Sequence, residues 1–230
     1  MDYAEVLTQL ESYGSAQTRK TYTRHGLLGP MFGVKFGDLN KLRAKIKVDH
    51  ELGLQLWHSG NLDARVLATM VLDPSGMTMK ELTLLHKDVS HHGLSSALSN
   101  VAQRSPVAEK IMRKWMARKA DLVQATGWMM LAGITRERPE LFSAEQYQEF
   151  LKTLELEIHD APNRTRHAMH SALIGIGTYI DEKRALSAAK KIGTVVIDHG
   201  DTSCKTQEAV PYIKKAAAKF RAKKKKTNSP

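Results

Sequence analysis

Basic side chains raise the first chemical question this sequence poses. Arg104, Lys110, Arg113, Lys114, Arg118 and Lys119 lie close together, and Lys110, Arg113 and Lys114 fall at helix spacing on one face, with Trp115 on the buried side. Arg164 and Arg166 open another helical stretch, where backbone N–H groups also point outward. A cation there opposes the helix dipole, an arrangement that makes sense beside phosphate. Arg65 projects to one side of an apolar stripe, and Lys205 precedes the last helix. Any one of these, taken singly, reads as a solvated surface charge. As a set they point to contact with a nucleic-acid backbone, with Gln124, Trp128, His167 and His170 as candidates for the centre of the face.

Other chemistries find less support. The chain has ten histidines, and His167 and His170 are three apart on a helix, but no acid or Cys completes an HxxxH or HExxH pattern. No metal site or cofactor is therefore expected. The text IDHGDTSCKTQEAVPYI (Ile197–Ile213) gathers Asp198, His199, Asp201, Thr202, Ser203 and Cys204. A Cys–His nucleophile would need a group to orient it, and none is implied. An N-cap role for Thr206 or Ser203 is the simpler expectation. There is no Walker loop, no GxGxxG and no carboxylate pair of glycosidase type.

Composition narrows the setting. A length of 230 residues with 42% hydrophobic content is enough to bury a core. One cysteine, Cys204, excludes an internal disulfide and suits a reducing cytosol. No apolar run reaches membrane-spanning length, and the start, MDYAEVLTQLESYG, carries acids where a signal peptide has a basic region. The net charge of +11 is unevenly spread. Eight cations and no acid lie between Lys214 and Lys226, which leaves only +3 for the rest.

The elements that must position these residues are helices. Asn61–Asp73 sets the pattern: Leu62, Val66, Leu67, Met70 and Val71 form one stripe, Ala64 and Ala68 give a thin edge, Asn61 caps, Asp63 suits the dipole and Pro74 ends it. The design returns loosely at Ala120–Ala132 and Asn163–Ile176. Helices are also expected over Asp2–Tyr13, Ala16–His25, a stretch capped by Asp38, one capped by Asp49, Met77–Lys87, Leu94–Gln103, Val107–Arg118, Ser143–His159 with a capping box, Asp181–Ile192 and Thr206–Phe220. Gly26–Gly37 is a loop and Thr194–Cys204 an extended connector. Short-looped helix pairs of this size predict an all-α, HEAT-like helical-repeat solenoid, with one domain over 1–220 and a disordered basic tail over 221–230.

Three phrases carry a resemblance: NLDARVLATMVLDP, NRTRHAMHSALIGIGTYID and DHGDTSCKTQEAVPYIKKA, with GW inside an apolar helix between the first and second. From about Phe32 to Lys219 the chain resembles the AlkD-like DNA alkylation repair proteins. The resemblance implies a superhelix of HEAT-like repeats whose concave basic face holds duplex DNA. It also implies removal of N3- or N7-alkylated purines by an Asp with nearby Trp and Arg residues. The matching positions depart from that set. His91–Asn100 (HHGLSSALSN) lacks both acid and aromatic, and Asp88 lies just before it, expected to face solvent. The central Arg position falls on Ala125, beside Gln124, and His167, Met169 or His170 replace a second Trp.

The expectation is a monomeric, cytoplasmic, nucleoid-associated protein that binds double-stranded DNA, alkylated or distorted, with no membrane partner. Its phosphate contacts are Arg65, Arg104, Arg113, Lys114, Arg118, Arg164 and Arg166, with Lys205 also among the DNA-binding residues. The competing readings are an alkylpurine glycosylase with a rearranged site using Asp88 or Asp63, and a protein-binding scaffold.

Overall fold

A computed structural model describes residues 1–227, and every regular element among them is helical. Contacts group the chain into two compact units. Met1–Ile111 with Gly200–Ser203 form the first, and Met112–His199 with the described residues from Cys204 onward form the second. The sequence alone suggests one domain over 1–220.

The first unit contains α1 (Tyr3–Ser12), α2 (Ala16–Arg24), α3 (Phe36–Ile46), α4 (His50–His58), α5 (Leu62–Val71), α6 (Met79–Lys87) and α7 (His92–Ala102). α5 packs against α4, α3 and α7, and Ala64 and Ala68 on its thin edge are fully buried. Its start is built as the sequence implies: the Asn61 side chain accepts from the N–H groups of Asp63 and Ala64. α6 opens with a capping box between Thr78 and Glu81, two residues later than expected. Asp38 does not cap α3. It lies in the first turn and pairs with Lys41 at 2.8 Å, leaving Lys35 at the cap position.

The division falls within α8 (Ala108–Met116). The second unit contains α9 (Asp121–Glu137), α10 (Ala144–Glu157), α11 (Asn163–Tyr179), α12 (Glu182–Ile192) and α13 (Ala209–Thr227). α9 and α11 pack along much of their length. Gly175 makes this possible, because a Cβ there would stand 2.7 Å from Thr135 Oγ1 and 3.3 Å from the Ala132 carbonyl. Gly177 does the same toward Ala185 of α12 and Ile213 of α13. Ser143 and Gln146 form the capping box expected at the start of α10.

Two expectations at the C-terminal end change. Neither Ser203 nor Thr206 caps the last helix, which begins at Ala209 with Pro211 in its first turn. That helix continues through the stretch expected to be a disordered tail, as far as Thr227. Alanine and lysine have high helix propensity, and cations at a helix C-terminus interact favourably with its dipole. Residues 228–230, the end of the expected tail, lie outside the described residues. The connector from Gly193 to Glu208 carries no helix or strand.

Candidate nucleic-acid interface

Both carboxylates considered for catalysis are engaged in holding the first unit together. Asp63, on the first turn of α5, is 3% exposed. Its Oδ2 accepts from the N–H groups of Phe32 and Gly33 at 2.7 and 2.9 Å, and its Oδ1 accepts from Val34 N–H at 3.0 Å. Three charge-assisted bonds fix the glycine-rich loop to the helix. Tyr22 hydroxyl donates to Val34 O in the same loop, and burial, then the Asp63 charge, raises its pKa.

Asp88 does not simply face solvent. Its Oδ2 accepts from Trp57 Nε1 at 3.0 Å and lies 3.8 Å from Arg65 Nη2. Arg65 donates in turn to the Trp57 carbonyl at 3.0 Å and the Asp88 carbonyl at 3.3 Å, with its guanidinium 5.8 Å from the Trp57 ring centre. Its side chain is 15% exposed. Arg65 is therefore a clamp between the ends of α4 and α6, where the sequence suggests a phosphate contact. Trp57 is fully buried, and its only signal in the sequence is an aromatic at the end of an apolar helix.

In the second unit several predicted residues gather where the connector crosses the start of α11. Asn163 holds the connector at two points: its Nδ2 donates to Asp198 O and its Oδ1 accepts from Asp198 N–H, both at 2.8 Å. Arg166 donates to Val196 O and Ala161 O, each at 2.9 Å, so it is a backbone staple rather than an outward phosphate contact. Asp121, from the first turn of α9, accepts from Arg164 and Thr165 N–H and so caps α11 across the helix pair. The Asn163 clamp and the Asp121 cap were both missed; a polar residue at a helix start was the available signal.

His167 lies edge-on to His199, with ring centres 5.9 Å apart, and His199 Nε2 is 3.0 Å from Thr206 Oγ1. Burial, then His199 and Arg164, lower the His167 pKa. His170 is buried, and burial followed by His167 lowers its pKa in turn. Both rings are thus held toward the neutral form. His91, which caps α7 by accepting from Leu94 N–H at 3.2 Å, is pushed down to about 4 by burial. Among the described residues no group of three or more His, Cys, Asp or Glu gathers to hold a metal ion. Cys204 is exposed.

Of the two α9 residues proposed for the centre, one is interior and one is partly exposed. Trp128 is buried, packed edge-on against Phe150 with centroids 6.4 Å apart, and Gln124 donates to Met116 O at 3.2 Å. Trp128 therefore presents no accessible face to a base. Arg113 is exposed but lies over Phe142 and Phe150, 5.5 and 5.6 Å from their centres. Arg104, Lys114, Arg118 and Lys205 are exposed, and Arg164 is half-buried beside His167. Along α13, Lys214, Lys215, Lys219, Arg221 and Lys223 to Lys226 are all exposed.

Comparison with known proteins agrees with this architecture. The family model described as DNA alkylation repair enzyme matches residues 6–219. An uncharacterized protein of Listeria innocua is 30% identical over 222 residues, covering 93% of this chain and 96% of its own. Another from Listeria monocytogenes is 28% identical, with the same coverage. A solved structure matches with a TM-score of 0.88 at 26% identity over 96% of each chain. That protein represents a new family related to the HEAT-like repeat DNA glycosylases with affinity for branched DNA structures. With its all-helical, HEAT-like fold, this chain belongs to the DNA alkylation repair enzyme family.

Proposed function

We propose that this chain binds DNA, duplex and branched, through a basic face that reads the phosphate backbone without sequence preference. The observation that carries this reading is α13, which exposes eight cations and no acid from Lys214 to Lys226. Exposed Lys114, Arg118 and Lys205 of the same unit add to the field. The affinity for branched DNA of the structurally similar protein supports a branched substrate here. Asp63 is buried and holds three backbone donors, which favours a structural role over supplying the negative charge that an oxocarbenium-like sugar transition state requires.

Binding measured at several salt concentrations, with duplex and four-way-junction DNA, tests the reading. Each phosphate contact contributes about 0.9 to the slope of log affinity against log salt. A chain ending at Arg221 should keep its fold and lose roughly 2–4 from the slope, because Lys223 to Lys226 are gone. An unchanged slope would place the α13 lysines off the DNA. A salt-insensitive protein partner with no DNA binding would favour the scaffold reading.

A second reading, base excision, is favoured by one observation: Asp88 keeps 38% of its side chain exposed beside a Trp and an Arg, the residue types the resemblance implies. Release of free methylated purines from alkylated duplex, abolished in Asp88→Asn, would support it. No release would leave recognition alone.

A further inference from the structure

The last turns of α9 and α11 and the second half of α13 enclose an open groove of about 570 Å³. Arg136, Tyr179, Lys219, Phe220, Lys223 and Lys224 line it, and among the described residues no carboxylate does. Glu137 of α9 pairs with Arg136 at 2.7 Å, and Glu182 of α12 pairs with Arg221. Tyr179 and Phe220 meet edge to face, with centroids 5.0 Å apart and planes at 81°. Phe220 nonetheless remains 38% exposed on a helix whose other outward residues are mostly lysines. An aromatic floor with a rim of cations complements a ligand that is flat and aromatic on one side and anionic on the other. The volume lies within the range of small-ligand sites.

We propose that this groove takes one unpaired nucleotide of a DNA strand, its base stacked on Phe220 beside Tyr179 and its flanking phosphates held by the lysine rim of Lys219, Lys223 and Lys224. The assignment rests on the DNA-binding reading and makes it more specific. A paired base is sandwiched between its neighbours and offers no face to Phe220. Gapped and branched DNA expose unpaired bases, so the groove gives those forms an extra contact that a continuous duplex does not make.

The test uses two DNAs of equal length, a continuous duplex and one with a short single-stranded gap. The gap carries a fluorescent adenine analogue whose emission falls on stacking. The full chain should bind the gapped DNA more tightly and quench the analogue. Phe220→Ala should weaken gapped binding about tenfold and abolish quenching, with duplex affinity within about twofold of the original. Phe220→Leu, which keeps the apolar bulk, should behave like Phe220→Ala, while Phe220→Trp should restore quenching. Free deoxyadenosine monophosphate should reverse the quenching where inorganic phosphate at equal ionic strength does not. Equal losses on both DNAs, quenching that persists in Phe220→Ala, or reversal by phosphate alone would overturn the groove assignment. Wild-type binding to both DNAs without quenching would overturn the groove and leave DNA binding standing. Failure of the wild type to bind either DNA would overturn the underlying reading.

Discussion

Replacing Asp63 by Asn separates a structural carboxylate from a catalytic one. The wild-type side chain accepts three backbone N–H groups with two oxygens, in a site only 3% exposed. An amide in the same place has one oxygen and one NH₂. If the oxygen keeps Phe32 and Gly33, the NH₂ faces the Val34 N–H, donor against donor, and a buried donor is left unmet. That costs about 1–3 kcal/mol, and the two retained bonds lose their charge assistance, about another 1 kcal/mol. The expected loss is therefore roughly 2–4 kcal/mol. Asp63→Ala, which strips all three donors, should lose at least as much. For a chain of this size the Asn variant should melt roughly 5–15 °C lower. Urea unfolding followed by circular dichroism gives the difference directly. A change below about 0.5 kcal/mol would mean the loop does not depend on this carboxylate, and Asp63 would return as a candidate for chemistry.

Acid should weaken the fold through its buried imidazoles. His91 has an ordinary pKa near 6.5 when unfolded and about 4 when folded, so its neutral form is favoured by folding. Its stabilisation is complete above about pH 6.5 and is lost as pH falls toward 4, by about 3 kcal/mol, with His167 and His170 acting in the same direction. His91→Asn retains a capping acceptor without the titration, and should flatten the stability–pH curve over that range; an unchanged curve refutes the assignment. The arginines should divide by role. Arg65→Ala should destabilise by about 2 kcal/mol through its lost bonds to the Trp57 and Asp88 carbonyls, while leaving the salt slope of DNA binding intact. Arg118→Ala should leave stability unchanged and lower that slope by about 1, and the opposite outcome for either would reverse its role. Gly175→Ala gains about 1 kcal/mol of helix propensity but drives a methyl to 2.7 Å from Thr135 Oγ1. Overpacking of about 1–3 kcal/mol should win or at least cancel the gain, and a clearly stabilised variant would show that α9 and α11 can separate without cost.

The helices were legible because their rules are local. Apolar spacing, Asn61 at an N-cap and the Ser143–Gln146 box each act within one or two turns of chain. The same locality made all-α repeats, the family likeness and the abundance of outward cations readable from the residues alone. The end of α13 was misjudged because a lysine run reads equally well as a solvated tail or a charged helix, and only its continuation from Ile213 and Ala217, both buried, favours the helix. What tertiary structure decided was the use of each polar group. Arg65 and Arg118 look alike in sequence, yet one is spent on the Trp57 and Asp88 carbonyls and the other stays at the surface. In sequence Asp63 reads as a dipole partner and Asp88 as a solvent-facing acid; packing brings Phe32–Val34 to the first and Trp57 to the second from about thirty residues away. Hydrogen bonds across such separations leave no periodic trace in the chain, because the partner is chosen by packing and by the cost of leaving a buried donor unmet.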